Sequence, residues 1–321
     1  KAALSETHAW LFANILDIDP AEVVANTKYE HAINTGNNTK AIFWQEQLNK
    51  IFSDIEPIKI QIAQFNAIVG DIESNAQKML NLIHDAAELG AHLIVFPELA
   101  LTGYPPEDLL FRDGFINQVN EQIDFLCKSV PSSISVLFGA PNKTNDSLFN
   151  SAYCIQKNQI IHIYNKQKLP NYGVFDEKRY FSPGDESFVF ECQKTKIGVL
   201  ICEDQWIEGP ISQLCQYNVD IVISINASPF QSDKHNERLE ICKNYASTFD
   251  ISFIYVNMVG GQDEVVFDGN SFVVNENGEI TLQLPEFEEL NCLHTNSIEV
   301  LESPSEEKSI YSALVLASRD Y

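Results

Sequence analysis

The chain has 321 residues, 45% of them hydrophobic and 21% charged, which gives a globular sequence with material for one large core or two of ordinary size. Its 45 acidic residues against 21 basic ones leave a formal charge of -24, which repels phosphate backbones and anionic bilayers and argues against nucleic acid or a membrane surface as partner. Seven cysteines, an odd number with no CxxC pair, argue for reduced thiols in a cytoplasmic setting rather than a disulfide framework or a zinc site.

No charged-then-apolar leader and no apolar run of roughly 18 residues is present, so nothing predicts secretion or a membrane span. Lys1 is not a natural first residue, which leaves a missing beginning open. Residues 1–57 read as a helical extension. In "DPAEVVAN", Asp19 takes the N-cap, Pro20 the first helical position and Glu22 the closing position of a capping box. The stretch "TKAIFWQEQLNKIF" then puts Ala41, Phe43 or Trp44, Leu48 and Phe52 on one stripe. This segment carries no chemistry and is expected to pack on the main body or on a partner.

From Ile58 onward, strands and helices alternate. "IKIQIAQFNAIVG" reads as a strand and "ESNAQKMLNLIHDAAELGA" as a helix with Ala76, Leu80, Ile83 and Ala87 on one face and Gly90 as its stop. "HLIVFPE" is a buried strand, "FINQVNEQIDFLCKSV" a helix with Ile116, Val119, Ile123 and Leu126 inward, and "ISVLFGAP" another strand. A hairpin over "SAYCIQKNQIIHIYNK" follows, then "KIGVLICE" (strand), "GPISQLCQY" (helix), "DIVISINAS" (strand), "SDKHNERLEICKNYASTF" (helix) and "ISFIYVNMVG" (strand). A last hairpin turns at Asn277-Gly278, and "SIYSALVLASRDY" reads as a closing helix. Apolar strands alternating with amphipathic helices imply sheets covered by helices, an α/β layer fold, with residues 58–300 as one domain.

On such sheets, reactive groups collect where a rigid strand hands a side chain to a loop. Three strand ends do this: "HLIVFPELALTGY" presents Glu98, "IIHIYNKQKLPNYGVFDE" presents Lys166 and "KIGVLICEDQW" presents Cys202. A carboxylate can take a thiol proton, and an ammonium can lower the thiol pKa and then neutralise an oxyanion, so the three suffice for acyl transfer. Singly, each has a plainer reading: a solvated Glu, a solvated Lys and a packing thiol. Cys127, Cys154, Cys215 and Cys242 fit that reading, since they lie within helices or strands; Cys202 is followed at once by two carboxylates. A Cys-His arrangement has less support, because none of the seven histidines sits at a comparable strand end, and His92 and His162 read as strand residues.

Six stretches in order, "IAQFNAIVGDIESN", "VFPELALTGYPPEDLL", "YNKQKLPNYGVFDEKRYFSPG", "IGVLICEDQW", "INASPF" and "VGGQDEVVFDGNSFV", resemble the carbon-nitrogen hydrolase (nitrilase) superfamily, and within it the glutaminase domains of glutamine-dependent NAD synthetases. The resemblance covers residues 58–321 and leaves 1–57 without a counterpart. It implies a four-layer α-β-β-α sandwich and a Glu-Lys-Cys triad on Glu98, Lys166 and Cys202, with Lys168 excluded by the motif's register and Glu177 as a second carboxylate beside the lysine. For a glutamine pocket it suggests Tyr104, Tyr172, Phe175 and Trp206 as aromatic walls. Ser228 and Lys234 would lie near the substrate α-carboxylate, Arg238 being the substitute for Lys234 one helical turn on.

The resemblance further implies ammonia release from glutamine for NAD synthesis, with no cofactor for that step. ATP and Mg would be needed only in a synthetase domain, toward which residues 301–321 would form a linker helix. "VGGQDE" mimics the synthetase phosphate loop "SGG.DS" but lacks both serines, and no other Gly-rich phosphate cradle occurs. Expected partners are glutamine, a synthetase domain or subunit, and further copies of the chain. Two alternatives stand beside this: an amidase or carbamoylase acting alone on another small amide, and an inactive scaffold on the same fold, against which the presence of all three triad residues argues.

Overall fold

The computed structural model describes residues 20–34, 39–44, 57–144, 147–295, 299–300 and 304–321. The chain divides between Pro57 and Ile58 into two units. In the first, helix α1 (Pro20–Asn34) starts at its proline, whose missing N–H and fixed φ suit that position, and residues 39–44 are also helical. Asp19, the Glu22 side chain, Leu48 and Phe52 lie outside what is described.

The second unit holds two sheets face to face. Strands β1 (Ile60–Gln64), β2 (Leu93–Val95), β3 (Ser135–Thr144), β4 (Ser147–Gln156), β5 (Gln159–Asn165) and β14 (Leu290–His294) form the first, in the order β14-β1-β2-β3-β4-β5. The second is ordered β15-β13-β12-β9-β8-β7-β6 and uses β6 (Phe188–Cys192), β7 (Thr195–Ile201), β8 (Ile221–Asn226), β9 (Ser252–Asn257), β12 (Phe272–Val274), β13 (Ile280–Gln283) and β15 (Glu299–Val300). A separate ribbon pairs β10 (Val259–Gln262) with β11 (Val265–Asp268).

Side-chain alternation splits the strands' apolar residues between layers. On β8, Ile223 and Ile225 join Ile62, Val95, Leu137 and Val199 in the core between the sheets, while Val222 points outward to Leu214, Leu239 and Cys242. The outer helices are α5 (Pro210–Cys215) and α6 (Lys234–Phe249) on the second sheet, and α2 (Ile72–Glu88) and α3 (Asp113–Ser129) on the first. The expected four-layer α-β-β-α sandwich is therefore the observed one.

Element edges differ from the sequence pattern in instructive ways. The strand expected over residues 58–70 ends at Gln64, and the buried α2 face adds Met79 and Ala86 to Ala76, Leu80 and Ile83, with Ala87 half-buried against the same core. Gly90 stops α2 at φ +77° as expected. Strand β6 is not among the expected elements: its hairpin with β7 turns on Gln193 and Lys194, at φ +51° and +63°, without the Asn-Gly pair that announces such turns. Helix α7 (Glu306–Asp320) is capped by Ser305 and packs on the β10–β11 ribbon. A Cβ on Gly261 would lie 2.8 Å from Ala317 Cα, so glycine permits that close approach.

Candidate active site

Glu98 follows β2 by way of Phe96 and Pro97 and is fully buried. Its turn packs so closely on β3 that a Cβ on Gly139 would meet Leu99 N at 2.2 Å, so residue 139 must be glycine. Both carboxylate oxygens are committed. Oε1 accepts from Asn150 Nδ2 at 2.7 Å and from Lys166 Nζ at 2.6 Å, and Oε2 accepts the Ala227 N–H at 2.9 Å.

Lys166 leaves the end of β5, its N–H donating to the Asn150 carbonyl, and it too is fully buried. Its ammonium also donates to Glu177 Oε1 at 2.8 Å, where the Tyr104 hydroxyl adds a bond of 2.9 Å. Glu177 opens the single helical turn α4 (Glu177–Tyr180). Burial pulls the lysine pKa down, but Glu177 and Glu98 outweigh it and hold the ammonium well above its ordinary value. Burial raises Glu177 to about 7, with Lys166 lowering it and Glu98 raising it.

Cys202 begins a single 3-10 turn (Cys202–Gln205) directly after β7, at φ +45°. A non-glycine residue in the left-handed region costs roughly 1–3 kcal/mol and persists only where its surroundings hold it. Burial and the Glu98 charge raise its thiol well above the ordinary range, and Lys166 opposes them. At rest the sulfur is therefore a thiol, with a base and a cation within electrostatic reach.

Cys202 lines a cavity of about 330 Å³, the size of a small-molecule site. Tyr172, Phe175, Trp206, Ser228 and Lys234 line it as well. Lys234 Nζ lies 3.9 Å above the Trp206 ring and bonds Glu237 at 2.9 Å, while the Tyr172 hydroxyl donates to Glu203 Oε2 at 2.9 Å. Two residues read for the pocket are placed elsewhere. Tyr104 is buried behind Glu177 and borders a neighbouring cavity instead of this one. Arg238, the substitute for Lys234, is fully buried: its guanidinium takes both oxygens of Asp268 at 2.9 and 2.8 Å and donates to the Ser228 and Pro229 carbonyls. It fixes the loop under the pocket and is not among the residues that line the cavity. Lys168 is only half-buried, and its backbone N–H bonds Asp204.

Sequence reasoning missed Asn150, Ala227 and the wall formed by Phe230, Glu264, Val265 and Val266. Asn150 is one polar residue in an alternating strand, and an N–H donor has no side-chain signature. Asp204 had a signal, as the second carboxylate after Cys202, but no stated role.

The family model described as carbon-nitrogen hydrolase matches residues 59–298. A glutamine-dependent NAD(+) synthetase of Acinetobacter baylyi is 39% identical over 276 residues, covering 83% of this chain and 51% of that protein. The solved glutamine-dependent NAD+ synthetase from Acinetobacter baumannii superposes with a TM-score of 0.79 at 41% identity, over 82% of this chain and 52% of that one. A nitrilase-superfamily amidase from Nesterenkonia AN1, at 20% identity and TM-score 0.66 over 74% of this chain and 90% of its own, shares the fold. The chain thus spans about half the length of the curated relatives it matches.

Proposed function

Because the chain belongs to the carbon-nitrogen hydrolase family, we propose that its cavity hydrolyses the side-chain amide of glutamine and that the ammonia released supplies NAD synthesis. One observation carries this reading: three strand ends from two sheets set a carboxylate and the ammonium bonded to it within electrostatic reach of a thiol that lines a small-molecule cavity.

Glu98 takes the Cys202 proton as the sulfur attacks the carboxamide carbon, so a thiolate forms only as it is consumed. This suits a thiol that burial keeps protonated at rest. Lys166 and a backbone N–H near Glu203 hold the oxyanion. The C–N bond then breaks, ammonia leaves with the proton returned by Glu98, and a thioester remains on Cys202. Water, deprotonated by the same carboxylate, adds to the thioester, and glutamate departs as the sulfur regains its proton. Glu177 keeps the ammonium oriented throughout.

In the pocket, Tyr172, Phe175 and Trp206 bound the aliphatic part of the substrate, and Ser228 and Lys234 meet its α-carboxylate. No cofactor enters this step; ATP and Mg belong to a synthetase domain or subunit, the proposed partner, and assembly into homo-oligomers belongs to the same reading. Seven free cysteines support a reducing, cytoplasmic setting. Among the described residues no helix is long and apolar enough to cross a membrane.

The test is ammonia release from glutamine, asparagine and a panel of small amides, with the thioester trapped and weighed as intact protein. Glutamine should be preferred, and Cys202→Ala should abolish turnover. Preference for a simple amide would replace this reading with an amidase acting alone, and no turnover of any amide would favour an inactive scaffold.

A further inference from the structure

Lys166 and Cys202 are delivered from different sheets, Lys166 by β5 of the first and Cys202 by β7 of the second. The two sheets meet through apolar side chains such as Ile62, Leu137, Val199 and Ile223, which resist separation but do not fix a lateral offset. Among the side chains that cross between the sheets by hydrogen bonds, one joins the segments that carry Lys166 and Cys202. Asp204 is fully buried and does not line the cavity. Its Oδ1 accepts the N–H groups of Gln167 at 3.0 Å and Lys168 at 2.8 Å, the two residues after Lys166. Its Oδ2 accepts the N–H of Ile201 at 3.1 Å, immediately before Cys202, and the hydroxyl of Tyr164 at 2.8 Å, on β5.

Four donors and no acceptor face this group, an environment that suits an ionised carboxylate. Burial raises Asp204 to about 6, while Lys166 and the hydrogen bonds pull it back, so it is mostly ionised at neutral pH.

We propose that Asp204 is a positioning residue that clamps the lysine loop and the nucleophile turn to one carboxylate, setting the distance between Lys166 and Cys202 without touching the substrate. The proposal rests on the amide-hydrolysis reading above. A misplacement of about 1 Å between reacting groups can cost on the order of a hundredfold in rate, which is the scale of effect expected.

Asp204→Asn tests it. Whichever way the new amide turns, its NH2 meets at least one backbone N–H, so one tether is lost at nearly constant volume. Glutamine turnover should show kcat lower by about thirtyfold to a hundredfold with KM within about threefold. Alkylation of Cys202 by iodoacetamide, followed by intact mass, should slow in parallel. A folded variant that keeps kcat and labelling within about twofold of the parent, or that raises only KM, overturns the proposal. If Asp204→Asn does not fold, Tyr164→Phe removes a single donor: kcat several-fold lower at unchanged KM supports the clamp, and unchanged kcat refutes it. A parent enzyme that releases no ammonia from glutamine would overturn the substrate reading, and the labelling comparison would still decide the role of Asp204.

Discussion

Lys166 and Lys168 lie two residues apart, and only the first is buried among carboxylates. Lys166→Met should lower turnover by about a hundredfold to a thousandfold, the cost of losing an oxyanion donor, with the protein still folded. Lys168→Met should keep most activity, because the contact at Lys168 is made by its backbone. Steady-state rates and a thermal melt of both variants check this, and equal losses would mean that the triad is drawn in the wrong register. Glu177 carries the pH dependence. Burial lifts it from an ordinary 4.5 to about 7, so it gains a proton as the medium falls through neutrality and ceases to balance the Lys166 ammonium. The rate of glutamine hydrolysis should therefore fall on the acid side with an apparent midpoint near 7. In Glu177→Gln that limb should move to lower pH. A full pH–rate profile decides the matter, and an unmoved limb would assign the titration to another group.

The strands of the core were legible because apolar runs bounded by turn residues have few other readings. Glu98, Lys166 and Cys202 were legible because each breaks such a run at its end. What holds them was not. Asn150 and Ala227 reach Glu98 across 52 and 129 residues of chain, and periodicity carries no information at that range. Arg238 illustrates the same limit: its spacing from Lys234 puts both on α6, but only the tertiary structure reveals that Asp268 on β11 claims one of them. This ion pair joins a helix of the outer layer to the pocket ribbon. Arg238→Met should destabilise the protein by about 3–5 kcal/mol, since it leaves the Asp268 carboxylate buried without its cation. Urea unfolding measures that loss directly. A variant as stable as the parent with only KM raised would instead return Arg238 to the list of substrate ligands.

At the scale of the whole molecule, the second unit is built so that its sheets carry the chemistry and its loops and ribbon shape the cavity. Helix α7 lies against that ribbon, and Asp320 Oδ2, at its last turn, accepts the Gly261 N–H and the Asn66 side-chain amide, each at 2.9 Å. The same ribbon contributes Val265 and Val266 to the cavity wall. A carboxylate in the last turn of α7 is therefore tied to the same ribbon that walls the cavity, so a rotation of the helix should reach the wall as a change of shape. Asp320→Ala should speed amide hydrogen exchange over residues 259–268 while leaving β2 as protected as before. If exchange in the ribbon is unaltered, the helix rests on it as ballast; if it quickens, the final turn of α7 works as a tiller for the pocket.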